Sequence, residues 1–489
     1  MKLKKIFSLF LVAMLMFNTI GCKDGKTVSV SDLVVPTYED AGEIMLRVDL
    51  PPNQSSREQM ELYKECGFNT IPLTTDFFTV TEVAPYMDEL AVYEEKLKAW
   101  DGINQATKPI EPEKPDYIKA LDLCEELGID VLIRPHSDYV SETPEAVVGQ
   151  KNFFEQNFYN LDFTKYPAVK GFMICDEPTY GKITDMVNRY LPWFNENYGG
   201  KGYEVLINHL SPGASLAWKD DYSRNFTYDD YINHFYNDFL GPANSTNKVL
   251  SHDGYVLNND GVNNFVDERH LYSGLAMRQY ADKFGVDYGA YIQCFTGHDT
   301  LRDLTSYADF SFQVCTYLAL GASRLSFYGY RDYPPEKHLM SGGERTEKWY
   351  WVKQVNEMTK KIDGIIYNFD WEGLFTNVGT GSFFETKEHF EMIKNIDLDK
   401  LDGVKTFRSK YDAIVGQFED KDGNKGFMLV NYEEPSIKHT NKVTMKFEDA
   451  DGVLMYRNGD PTTIGLTDKT FTIDLDAGEG VFIVPLYKK

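Results

Sequence analysis

From residue 43 to about 367 the chain repeats one pattern eight times: a short, nearly unbroken apolar run, a polar break, then apolar residues three and four apart. The apolar runs occupy residues 44–49, 69–73, 130–134, 169–175, 203–208, 248–253, 288–293 and 324–328. Runs this short and this apolar predict strands covered on both faces, which is the habit of parallel sheets. The intervening segments read as amphipathic helices. Three of them, at 57–66, 117–127 and 307–320, are each followed at once by glycine (Gly67, Gly128, Gly321), the expected C-terminal punctuation. A last helix is predicted near 349–362, and the long charged connection 76–114 carries helices of its own. Eight strand–helix units over some 325 residues predict a closed (β/α)8 barrel, a TIM barrel, across residues 41–370. No Gly-x-Gly-x-x-Gly stands at the first turn to favour a doubly wound open sheet.

The periodicity changes after about residue 375. Segments 411–418 and 426–432 flank Asp422-Gly423-Asn424, a hairpin signal, and further strands are predicted at 443–447, 453–456, 471–475 and 480–486. Short strands at this spacing predict a C-terminal antiparallel β-sandwich over 375–489 that packs against the barrel.

The N-terminus follows another logic. Met1-Lys2-Leu3-Lys4-Lys5 is basic, residues 6–17 are apolar except Ser8, and Gly21-Cys22 follows. This is the layout of a secretory signal, too short to span a membrane comfortably. Gly21-Cys22 resembles the end of a bacterial lipobox, with Thr19 in place of the usual leucine. Residues 1–22 are therefore expected to be a lipoprotein-type signal peptide with Cys22 as the lipidated residue. Residues 23–40 are expected to be a flexible tether, and the protein to be held at the cell envelope or cell surface by an N-terminal lipid anchor in the membrane. Cys66, Cys124, Cys175, Cys294 and Cys315 stand singly in apolar patterns and read as buried small hydrophobes.

Composition narrows the function classes. A formal charge of −25 with no basic stripe argues against nucleic acid as a partner. With 32 Tyr and 32 Phe there are aromatics enough for both a core and a cleft. No phosphate-cradling loop, Gly-x-Ser-x-Gly elbow or His-Glu-x-x-His spacing appears, so no cofactor and no metal is expected.

In a TIM barrel the chemistry gathers at the C-terminal ends of the strands. That filter selects Arg47, Asp49, Arg134, His136, Asp176, Glu177, Asn208, His209, Asp253, Gln293, Tyr328 and Tyr330, together with His252, His298 and Asp332. Glu177, a carboxyl beside another carboxyl at the end of a buried strand, is the candidate general acid. Asp253 is the candidate second carboxylate, ahead of Asp332 and Asp49. Alternatively, Asp176 caps the following helix and Glu177 pairs with Arg134. Tyr255, Tyr328, Tyr330 and Trp218 offer flat faces for sugar rings, and Asp49, Arg134, His136, Asp176, Asn208, His209, Gln293 and Tyr328 offer polar contacts to its hydroxyls.

The stretches Gly171-Phe172-Met173-Ile174-Cys175-Asp176-Glu177-Pro178 and Phe312-Gln313-Val314-Cys315-Thr316-Tyr317-Leu318-Ala319-Leu320-Gly321-Ala322, the latter followed by Phe327-Tyr328-Gly329-Tyr330, resemble segments of bacterial glycoside-hydrolase-like barrels. The plan of barrel and β-domain is similar to clan A glycosidases of the family 42 β-galactosidase type. The resemblance implies an acid/base glutamate at the end of strand four, which maps onto Glu177. It also implies a nucleophile glutamate at the end of strand seven, where this chain has Gln293, and a glutamine cannot form the glycosyl ester. The expectation is thus an exported glycoside hydrolase acting on an oligosaccharide or polysaccharide-derived glycan. The alternative is a surface lipoprotein that binds carbohydrate on an inactive barrel.

Overall fold

The computed structural model describes residues 27–39, 42–74, 82–100, 102–103, 105–134, 161–212, 219, 226–295, 301–331, 338–380 and 398–489. Cys22, His136, Trp218, His298 and Asp332 lie outside them.

The barrel strands are β1 (Met45–Val48), β2 (Thr70–Thr74), β3 (Asp130–Arg134), β4 (Val169–Asp176), β5 (Glu204–His209) and β6 (Lys248–Asp253). After a hairpin of β7 (Leu257–Asn259) and β8 (Asn264–Val266) come β9 (Asp287–Gln293) and β10 (Arg324–Tyr328). They pair in parallel in the order β1-β10-β9-β6-β5-β4-β3-β2. The seam between β1 and β2 is bridged by one residue. Asn69 donates its backbone N–H to Leu46 O at 3.0 Å, accepts Leu46 N–H on Oδ1 at 2.8 Å, and donates Nδ2 to Ile44 O at 2.9 Å. The helices are α1 (Arg57–Glu65), α2 (Val83–Ala99), α3 (Asp116–Leu127), α4 (Tyr180–Asn197), α5 (Tyr228–His234), α6 (Glu268–Phe284), α7 (Tyr307–Ala319) and α8 (Glu347–Ile366).

Strand alternation divides the barrel wall into two faces. Met45, Leu132, Met173, Leu206 and Tyr291 point inward and form their own cluster. Below them Gly171 and Gly289 leave room for the Glu204–Arg324 pair (3.5 Å); a Cβ on Gly171 would stand 2.4 Å from Glu204 O. The floor is therefore filled, and only the upper end of the barrel is left for chemistry.

A two-residue hairpin, β11 (Met340–Ser341) and β12 (Glu344–Arg345), precedes α8, and the sandwich begins at β13 (Phe369–Asn377). Its three-stranded sheet is β14 (Val404–Ser409), β17 (Asn441–Phe447) and β20 (Thr470–Leu475). Its six-stranded sheet runs β13-β15-β16-β21-β18-β19, with β15 (Ala413–Asp420), β16 (Lys425–Asn431), β18 (Gly452–Arg457), β19 (Asp460–Gly465) and β21 (Gly480–Leu486). The Asp422-Gly423-Asn424 turn is as expected, with Asp420 Oδ1 accepting the N–H groups of Asp422 and Asn424 at 2.9 and 2.8 Å. α7 is buried along nearly its whole length, polar Asp309, Gln313 and Thr316 included, because it lies between the barrel and the six-stranded sheet. Phe312 meets Tyr432 at 5.2 Å, and Gly416 lets β15 approach the carbonyl of Ala319.

One segment differs from its expectation. Residues 27–39, read as tether from their polarity, lie along the sandwich. Val28 N–H donates to Leu466 O (3.1 Å), Val34 N–H to Tyr487 O (2.9 Å) and Lys489 N–H to Asp32 O (3.1 Å), while Leu33 is buried against Gly452. Backbone groups of the sandwich take up the segment, and buried Leu33, with half-buried Val28 and Tyr38, seats it. The five internal cysteines are buried and unbridged, as read.

The barrel and sandwich are also joined by a buried triad. Arg302, between β9 and α7, donates to Asp309 at 2.5 Å and to Glu434 of the sandwich at 2.7 Å. Replacing the cation strands two buried carboxylates. Arg302→Met is expected to lower unfolding free energy by about 3–5 kcal/mol in denaturant titrations.

Candidate functional site

The inward parity that packs the middle of the barrel carries a set of polar side chains up to its mouth. Arg47 and Asp49 come from β1 and the residue just beyond it, Arg134 from β3, Asp176 from β4, Asn208 from β5, Asp253 from β6 and Tyr291 from β9. They form one connected network. Arg134 reaches Asp49 at 2.9 Å and Asp176 at 3.1 Å. Arg47, fully buried, meets Asp49 at 3.2 Å and donates to the Tyr291 hydroxyl, which donates to Asp49 Oδ2 at 3.1 Å. Burial works against both guanidinium charges, but the facing carboxylates and Tyr291 outweigh it and hold both arginines protonated. Asn208 Nδ2 donates to Asp176 at 3.0 Å and to Asp253 at 2.8 Å, tying the two halves together.

Glu177 stands at the edge of this network, exposed to the mouth, with φ +47°. A glutamate in the left-handed region is strained by about 1–2 kcal/mol, and such strain persists where the surroundings over-determine it. Its carboxyl is hydrogen-bonded to that of Asp253. Burial first, then this hydrogen bond and the charges of Glu177 and Asp176, raise the Asp253 carboxyl well above the usual range. Asp176 is also raised by burial, against the opposing pull of Arg134. The Asp253 carboxyl therefore holds a proton where a lone aspartate would have lost it.

Next to the carboxyls is an aromatic cluster. Tyr255, Phe295 and Tyr328 pack edge to face, with centroids 5.3 Å apart for Tyr255–Phe295 and for Phe295–Tyr328. Tyr255 and Tyr328 are only partly buried and present ring surface beside the carboxyls.

Several sequence expectations change here. Asp176, not Glu177, is the partner of Arg134, and the following helix α4 is capped by Thr179, whose side chain accepts Lys182 N–H. Asp49 is 1% exposed with both carboxylate oxygens engaged by Arg47, Arg134 and Tyr291, so it braces the site and is not open to a substrate. Asp253 does not face Glu177 across a gap; hydrogen-bonded carboxyls leave no room for a sugar ring between them. His209 points outward, one residue past inward-facing Asn208, and its Nδ1 meets the Tyr231 hydroxyl at 2.9 Å. His252 likewise faces Tyr288. Gln293 is buried, donating Nε2 to Arg302 O at 2.9 Å. Tyr330 belongs to the core, against Tyr63 and Trp349. Tyr291 escaped the filter because it lies two residues before the strand end, although its inward parity was readable. Among the described residues no cluster of His, Cys, Asp and Glu has the arrangement of a metal site.

No protein-family model matches the chain, and no curated protein matches it in sequence. Among solved structures, a catalytic mutant of a family 42 β-galactosidase from G. stearothermophilus superposes with a TM-score of 0.54 at 10% identity, over 93% of this chain and 99% of that one. A family 5 glycoside hydrolase from Bacteroides vulgatus gives 0.49 at 12% identity over 94% and 95%, and a family 39 enzyme from Bacteroides cellulosilyticus 0.46 at 11% over 92% and 83%. The chain shares the fold of the family 42 enzyme, barrel and β-domain together. At this identity the likeness is one of fold.

The pair's chemistry has a stability consequence. Because the folded state raises the Asp253 pKa, it binds a proton that the unfolded chain releases above about pH 4. Stability therefore falls as pH rises from there through the raised pKa. Asp253→Asn keeps an acceptor for Asn208 and a donor for Glu177 without the ionisation. Thermal melts at pH 8 are expected to show the variant more stable than the parent by about 1 kcal/mol, with the difference vanishing near pH 4.

Proposed function

We propose that the protein hydrolyses glycosidic bonds of an oligosaccharide or polysaccharide-derived glycan, with Glu177 as the proton donor. The observation that carries this reading is the hydrogen-bonded Glu177–Asp253 pair at the mouth of the barrel, beside an aromatic cluster. Glycoside cleavage needs an acid that keeps its proton near neutral pH and delivers it to the leaving oxygen. Asp253 keeps its proton next to Glu177, and Glu177 is the exposed member of the pair. Tyr255 and Tyr328 offer ring faces to the apolar side of a sugar. Asp176, held between Arg134 and Asn208, supplies negative charge beside the oxocarbenium-like transition state. The fold shared with a family 42 β-galactosidase is consistent with this chemistry and names no sugar.

The test is sugar release from aryl glycosides and a glycan panel. Glu177→Gln is expected to lower kcat by about 100- to 10,000-fold while the melting profile stays unchanged. Since the proton on Asp253 must be kept, parental kcat/KM should fall as pH rises through the raised Asp253 pKa. Gln293, standing where a clan A nucleophile would be, favours a second reading, a barrel that binds glycans without cleaving them. Tight glycan binding with no turnover in the parent protein would establish that reading and exclude the first.

We also propose that Cys22 is lipidated after export and anchors the protein to the envelope membrane. The basic start, apolar run and Gly21-Cys22 junction support this. Cys22→Ser is expected to move the protein from the membrane to the soluble fraction, and unchanged membrane association would refute the anchor.

A further inference from the structure

β5 grips the Glu177 turn from both sides of the barrel wall. On the inside, Asn208 accepts the Glu177 N–H on its carbonyl at 2.9 Å and donates its amide to Asp176 and Asp253. On the outside, the next residue, His209, meets the hydroxyl of Tyr231 from α5 at 2.9 Å, and that hydroxyl donates to the carbonyl of Pro178 at 2.7 Å. Both His209 and Tyr231 are fully buried, and His209 lies edge-on against Phe235 at 4.2 Å.

The proton count in this chain has one solution. A carbonyl only accepts, so the single hydroxyl proton of Tyr231 goes to Pro178. His209 Nδ1 must then be the donor to the Tyr231 oxygen, and the neutral ring leaves Nε2 bare. Nε2 is buried without a hydrogen-bond partner, as that tautomer in an apolar pocket requires. Burial, with His252 nearby, lowers the imidazole pKa to about 3, so the ring stays neutral across the working range. The result is a fixed, one-directional relay: His209 Nδ1–H to Tyr231, and Tyr231 O–H to Pro178.

We propose that Tyr231 and His209 are positioning residues that hold the strained Glu177 turn, and with it the Glu177–Asp253 contact, from behind the barrel wall. The inference rests on the reading of Glu177 as proton donor only where turnover is the readout. Glu177 has a left-handed backbone that its own side chain does not favour, and its own N–H and the carbonyl of the next residue, Pro178, are the handles that keep the turn there. Asn208 takes the N–H on one side, and Tyr231 takes the Pro178 carbonyl on the other. Without the second handle the turn relaxes toward an ordinary backbone and the carboxyl swings off Asp253. Neither residue touches the mouth, so substrate binding is untouched.

Tyr231→Phe removes one oxygen and keeps the ring. With the p-nitrophenyl glycoside that the parent cleaves fastest, kcat is expected to fall about 10- to 100-fold with KM within about twofold, the effect of a misplaced catalytic group. The basic limb of the pH profile is expected to move to lower pH as the carboxyl pair comes apart. His209→Asn, whose Nδ2 stands where Nδ1 stood, should retain more activity than His209→Leu. Parental kcat and pH profile in Tyr231→Phe, or equal losses in the two His209 variants, would overturn the proposal. A second measurement needs no substrate: carboxyl ¹³C NMR titration of the free protein. The parent should show one aspartate titrating far above the usual range, shifted back toward it in Tyr231→Phe. If no glycoside is cleaved but this shift is seen, the hydrolase reading fails and the positioning inference stands. If the titration is unmoved, the positioning inference fails whatever the activity.

Discussion

Arg134 lies between Asp49 and Asp176, and the mouth of the barrel is organised around that placement. Two carboxylates brought this close in a buried site repel each other and would bind protons. A guanidinium between them removes the repulsion, and Arg47 behind Asp49 completes the neutralisation. The carboxyls that the two arginines do not reach are Glu177 and Asp253, and Asp253 keeps its proton. The division of labour among four carboxyls thus follows from where two cations sit. Acids near cations brace the site, and acids away from them carry the reactive proton.

The same constraint explains why the site depends on elements remote from it. The network has no slack, because Asn208 bonds two carboxyls at once and Tyr291 stands between Arg47 and Asp49. Its geometry is only as good as the alignment of β1, β3, β4, β5, β6 and β9. That alignment is secured below by the filled barrel floor. It is secured laterally by Asn69 at the β1–β2 seam and by the sandwich, which holds the segment after β9 through Arg302. The C-terminal domain is therefore a structural partner of the barrel, packed against α7 over its whole face.

Much of the fold was legible because its signals are local. Apolar runs with glycine-terminated helices mark strand–helix units, and eight units admit few closures. The strands of the sandwich that escaped notice, β13, β14 and β19, carry exposed, polar or charged positions, as in Asp460–Gly465, where burial leaves no apolar imprint. The tether expectation for residues 27–39 missed for the same reason, since backbone pairing with the sandwich writes nothing into side-chain polarity.

The candidate site was legible in part. Strand-end position located Glu177, Asp176, Arg134, Asn208 and Asp253, all of which meet at the mouth. It also selected His209, Gln293 and Tyr330, which do not, because strand-end position is blind to parity and to where the chain turns after a strand. The sequence alone determined the barrel, the β-domain and the set of ionisable groups from which a site is assembled, since hydrophobic period and chain order are enough for those. Which carboxyl pairs with which cation, which one keeps its proton and which residue bears the strain were decided only by tertiary structure. Those properties are set by ångström-scale distances between residues up to some 240 positions apart, such as Asp49 and Tyr291, and no local pattern encodes them.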